Sequence, residues 1–205
     1  MHVVDAFQQH FGGRWTGVTF YFEDLPTVTE HSLRDIRFCE AIKKSLVHPV
    51  LLRPEDLNCR GARFVFGWDE TARAEMVKRF HDQEGFSDAR AKKLVQNLPK
   101  LNGFLKGIGL NLKNSPPDLL LSYLQPAQVM KLLRSYQVQF GKDLNVDLSS
   151  IVSVCGHVAV EAVVKKRIAL SFGCRDAREY GGITRDRVAI GVPVELARMM
   201  LKGKG

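Results

Sequence analysis

Leu57-Asn58-Cys59-Arg60-Gly61-Ala62-Arg63 decides how the chain is read, because its core returns further along as Cys174-Arg175-Asp176-Ala177-Arg178. Four of the five positions from the cysteine onward are identical, and a short apolar run precedes each copy, residues 50–52 in one case and 168–172 in the other. Another cysteine lies upstream of each. Cys59 follows Cys39 by 20 residues and Cys174 follows Cys155 by 19, so the order cysteine and helix, strand, cysteine and helix occurs twice. A strand ending near a proline stands before each unit, residues 18–22 ahead of Pro26 and 118–124 ahead of Pro126. The expectation is a mixed α/β (α+β) fold. It is built as two pseudo-symmetric, internally duplicated halves, residues 15–100 and 101–205, within a single compact domain over 1–205. Units related by a twofold place matching residues across the axis, so the two cysteine pairs are expected to meet at the interface between the halves.

Hydrophobic periodicity fills in the elements around this repeat. Val18, Phe20 and Phe22 alternate with Thr19, Tyr21 and Glu23 as a strand does. Residues 1–13, 38–47, 70–80, 87–97 and 127–140 read as helices, with Ser87 as an N-cap and Gly141 as a stop. Residues 104–112, 168–172 and 188–191 read as further strands, a helix is expected from about residue 157 to 165, and Pro193 opens the last helix.

Composition narrows the class. A 205-residue chain with 45% hydrophobic and 25% charged residues is ordinary for a globular protein. No run approaches the roughly 20 apolar residues of a membrane span. The first thirty residues carry Asp5, His10, Glu23 and Asp24 in place of a basic start and an apolar stretch. A cytoplasmic location without membrane contact is expected. The net charge of +8 suits an anionic metabolite, an acidic partner or nucleic acid. The basic residues are scattered, apart from Lys165-Lys166-Arg167 and the tail Lys202 and Lys204, which makes nucleic acid the weakest of these partners. Neither a phosphate-binding loop nor a dinucleotide fingerprint is present, since Gly103, Gly107 and Gly109 lack the spacing and the following helix.

Four cysteines in a chain of this length are too few for a disulfide scaffold. Cys39, Cys59, Cys155 and Cys174 are therefore read as ligands of one shared site, most simply an iron–sulfur cluster of [4Fe–4S] type. A structural zinc ion, which also takes four thiolates, and metal-free buried thiols are the alternatives. The expected helix starts favour thiolate at each cysteine. Arg60, Arg63, Arg175 and Arg178 lie one and four residues past their cysteines, and His157 lies two past Cys155. These five are candidates to hold a small anion or substrate.

Arg37-Phe38-Cys39, Leu57-Asn58-Cys59-Arg60-Gly61-Ala62, Val154-Cys155-Gly156, Cys174-Arg175-Asp176-Ala177-Arg178 and Ile190-Gly191-Val192-Pro193 together resemble the family known as domain of unknown function 169. The likeness runs from about Trp15 to Leu201. It implies a prokaryotic, largely anaerobe-associated cytoplasmic protein of α/β character, and it supplies no reaction. The family's segment at the fourth cysteine reads Cys-x-Gly-x-Arg, where this chain has Asp176 and Ala177. The function expected is iron–sulfur binding, in electron transfer with a redox partner or in chemistry on a small anionic substrate. A zinc-stabilised or metal-free binding module for an acidic partner or nucleic acid is the second reading.

Overall fold

The alternating and wholly apolar runs form strands of one sheet in the computed structural model, which describes residues 2–27 and 33–203. Met1 of the expected first helix and Lys204 of the basic tail lie outside the described residues. The strands are β1 (Trp15–Tyr21), β2 (Val50–Leu52), β3 (Gly107–Leu110), β4 (Leu119–Leu124), β5 (Ala169–Ser171) and β6 (Val188–Pro193). They pair antiparallel throughout, in the order β2-β3-β1-β4-β6-β5. β1 and β4 meet at the centre, with Trp15 opposite Ser122 and Val18 opposite Leu119, so one sheet runs unbroken through the chain. All six residues of β4 are buried, because both faces of the sheet are covered.

Side chains of successive strand residues go to opposite faces. Val18, Ile108, Leu119 and Leu121 join one apolar cluster, while Leu120, Leu124, Ile190 and Val192 join another. Helices α1 (Val3–Phe11), α6 (Pro126–Phe140) and α9 (Val194–Lys202) supply residues to the second cluster. The first cluster receives α2 (Phe38–Ser45), α3 (Arg60–Val65), α4 (Ala72–Glu84) and α5 (Asp88–Gln96). A π-helix (Ser153–Val160) that continues into α7 (Glu161–Lys165) and the short α8 (Arg175–Glu179) lie on that same side. Helix α2 shows why: Phe38, Ala41, Ile42 and Ser45 are buried at helical spacing, while Lys43 and Lys44 face solvent.

Several expected elements differ, and α4 runs to Glu84, past the expected 80. The strand expected over 104–112 is confined to β3, because Gly103 turns the chain with φ 92° and Phe104 stays exposed. The helix expected from residue 157 starts earlier, at Ser153, and is wound as a π-helix. Helix α2 stops at Ser45, short of the expected 47. The mixed α and β class holds. Among the described residues no helix is long and apolar enough to cross a membrane.

Candidate functional site

Each cysteine is placed by a short-range device on the same side of the sheet. A parallel bridge joins Ile36 to Leu57, with Ile36 N–H donating to Asp56 and Asn58 N–H to Ile36. This sets the chain entering α2 beside the chain entering α3. Cys39 therefore sits in the first turn of α2, and Cys59 is the residue that caps α3. Further along, Ser171 donates its hydroxyl to the Ser149 carbonyl at 2.8 Å, tying β5 to the loop before the π-helix. Cys155 lies in the first turn of that π-helix, and Cys174 caps α8.

All four cysteines line one cavity of about 80 Å³. A single water needs roughly 10–15 Å³ on this measure, so the space has room for more than one water. Phe38, Met76, Phe80 and Val152 form its apolar wall. Val152 enters the π-helix in the left-handed region, φ 44° and ψ 44°, a costly conformation for a β-branched residue. Its side chain packs across Gly156, where a Cβ would come within 3.1 Å of it. The strained valine and the π-turn together bring Cys155 to the cavity, and such turns recur at functional sites.

Burial pushes the Cys39 thiol up, and the Cys174 and Cys59 sulfurs beside it push it further. Burial raises Cys155 well above its ordinary range, with Cys59, Cys174 and Cys39 adding to the effect. Burial likewise raises Cys59, against the pull of the Ala62 amide. The thiolate expected from helix starts alone is thus outweighed at these three positions. Nearby amides favour the anion, but desolvation and mutual repulsion of the sulfurs cost more. A cationic centre among them would reverse that balance. Among the described residues no three His, Cys, Asp or Glu side chains stand close enough to hold a metal ion. One tetrahedral ion needs its sulfurs about 3.8 Å apart, from bonds of about 2.3 Å. A polynuclear cluster spreads its ligands over separate irons.

The arginines divide. Arg60 and Arg175 line the cavity mouth, both exposed. Arg60 pairs with Glu75. Arg63 instead donates to the carbonyls of Pro54 and Leu57, at 3.2 and 3.4 Å, and pairs with Asp69. Arg178 donates to the Phe172 carbonyl. His157 shares a 3.3 Å hydrogen bond with Glu161, away from the cavity lining.

Sequence spacing did not point to α4, which contributes Met76, Arg79 and Phe80 to the cavity. Nor did it reveal the work of Asp176. Arg79 bonds Asp176 at 3.3 Å, Arg37 lies 3.8 Å from its other oxygen, and Cys39 donates its thiol to the Asp176 carbonyl at 3.7 Å. Arg37 also stacks 3.6 Å over the Tyr180 ring. Asp176 thereby latches α8 to α2 and α4 at the mouth.

The family model described as DUF169, Uncharacterised ArCR, matches residues 16–203, and the chain belongs to that family. No curated protein and no solved structure matches it.

Proposed function

We propose that Cys39, Cys59, Cys155 and Cys174 hold one iron–sulfur cluster, of [4Fe–4S] type, between two duplicated halves of the chain. The observation that carries this reading is the convergence of all four cysteines, from four separate elements, on a single cavity. Soft thiolate donors suit iron–sulfur clusters and zinc. The all-thiol donor set is the usual one for an iron–sulfur cluster.

The duplication is supported by strand order. Matching β1, β3 and β2 with β4, β6 and β5 makes the sheet read alike outward from the β1–β4 contact. The same match sets Cys39 against Cys155, each in the first turn of a helix after a central strand. It sets Cys59 against Cys174, each capping a helix after an edge strand. On this match the boundary between halves falls after β3 and not at residue 100.

When bound, such a cluster supplies one-electron redox chemistry. The chain's part is to exclude water with Phe38, Met76 and Phe80 and to hold the sulfurs. Four protein ligands leave no iron free for a substrate, which favours electron transfer. Arg175, exposed and without a carboxylate partner among the described residues, presents positive charge to an acidic redox partner at the mouth.

Anaerobic reconstitution with iron and sulfide tests the reading. The expected result is an absorbance band at about 400 nm, with iron and sulfide in matching amounts, lost on replacing any one cysteine by alanine. Wild-type protein that takes up zinc but no iron, or metal content indifferent to all four replacements, overturns it.

A further inference from the structure

Helix α2 also lines a second cavity, of about 230 Å³, that nothing above uses. Arg14 ahead of β1, Lys43 of α2 and Arg187 ahead of β6 converge on it, and no Asp or Glu is among the residues that line it. Both arginines are anchored through backbone carbonyls. Arg14 donates to Leu46 at 2.8 Å and Arg187 to Tyr123 at 3.4 Å. A guanidinium has five N–H donors, so most remain to be aimed at a ligand. The Lys43 stem passes Gly182, where a Cβ would come within 3.3 Å of it. Among the described residues none of the three cations forms an ion pair. Asp186, next to Arg187 in sequence, accepts from the Thr184 hydroxyl and is stabilised by the Arg187 charge, without coming within ion-pair distance of it.

The floor is built from Thr16, Ser122 and Tyr123. Ser122 donates to the Arg14 carbonyl at 2.7 Å, Tyr123 to the Cys39 carbonyl at 3.2 Å, and Thr16 shares a hydrogen bond with Ser45. These hydroxyls are committed to the protein, which leaves the donors for a ligand on the three cations. Three positive charges around one dent repel one another, and a multiply charged anion relieves them.

We infer that this cavity binds a phosphate group, as inorganic phosphate or as the phosphoryl end of a small metabolite. Arginine forks and lysine are the side chains that recognise phosphate oxygens. The cavity is smaller than the roughly 300 Å³ at which drug-sized sites begin, and its cations ring a dent where a nucleic acid would need a track. It backs onto the cysteine site through Tyr123 and Gly181, yet the inference does not rest on the cluster.

Calorimetric titration of the whole protein with sodium phosphate, at ionic strength held constant with chloride, tests it. Saturable one-site binding is expected. Lys43→Gln, which removes an exposed side chain without a hydrogen-bond partner, should weaken it roughly tenfold, the usual worth of a charge-assisted hydrogen bond. Arg187→Lys should fall between. A titration that shows no saturable heat, or a Lys43→Gln variant that binds like wild type, overturns the inference. So does binding of a single-stranded oligonucleotide without binding of phosphate.

Discussion

Tyr123 donates its hydroxyl to the carbonyl oxygen of Cys39 at 3.2 Å, joining the end of the central strand β4 to the first turn of α2 inside the protein. Burial keeps the phenol protonated far above its ordinary range, and the Cys39, Cys174 and Cys155 sulfurs act in the same direction. It therefore donates at any working pH. Tyr123→Phe keeps the ring and deletes one buried hydrogen bond, so the unfolding free energy should fall by about 1 kcal/mol. Urea denaturation measures this, and iron retention after reconstitution should fall with it because Cys39 loses its tether.

A network around Glu161 ties the two flanks of the π-helix together, and it predicts acid sensitivity. Lys165 and Arg167 donate to Asp147 at 2.7 and 2.6 Å and hold its carboxyl below the usual range. Burial alone would raise Glu161. Hydrogen bonds from His157 and Arg167 and the charge of Lys165 overcome that and lower it. Both carboxyls are lowered on folding, so their contribution is complete above the unfolded values of about 3.9 and 4.3 and is lost as pH falls through the folded ones. Thermal scans from neutral to acid should show the melting temperature dropping below about pH 4. A Glu161→Gln, Asp147→Asn variant should start lower at neutral pH and fall less steeply.

Asp176 should govern access more than stability. Its pairs with Arg37 and Arg79 are partly exposed, and such pairs contribute about 0–1 kcal/mol. Asp176→Ala should leave the urea midpoint nearly unchanged. With the latch between α8, α2 and α4 gone, a soluble iron chelator should strip the reconstituted protein faster than wild type. An unchanged stripping rate would mean that the mouth is closed by other groups.

The sheet was legible where the code is local. Val18 and Phe20 in alternation, and the apolar run of β4, mark strands by side-chain period, and the observed ends lie within three residues of the expected ones. The cysteines drew attention because Cys59-Arg60-Gly61-Ala62-Arg63 and Cys174-Arg175-Asp176-Ala177-Arg178 share four of five residues, and all four cysteines line one cavity. The π-helix was not. Seven of its eight residues are buried, so its side chains carry no 3.6-residue contrast. His157 N–H reaches the Val152 carbonyl five residues back, a bond no pattern announces. The wall from Met76 and Phe80 was hidden for another reason. Their apolar spacing reads as a helix face whatever it meets, and only long-range packing sets it against the cysteines. Arg63 and Arg178 fell to nearby carbonyls, a local choice of rotamer that spacing from a cysteine does not encode.

Gly181 offers the sharpest separation of cysteine geometry from cysteine chemistry. A Cβ at this position would lie 2.8 Å from the Cβ of Cys39 and 2.7 Å from the Ala177 carbonyl oxygen. Neither neighbour is the end of a flexible side chain, so α8 and α2 must move apart to admit it. Gly181→Ala keeps all four thiols yet should displace Cys39, lowering iron bound after reconstitution and exposing its thiol to a chromogenic disulfide reagent. Gly181 also lines the cavity proposed for phosphate, so the same displacement should weaken phosphate binding. Loss of iron with phosphate affinity intact would confine the disturbance to the cysteine side of α2.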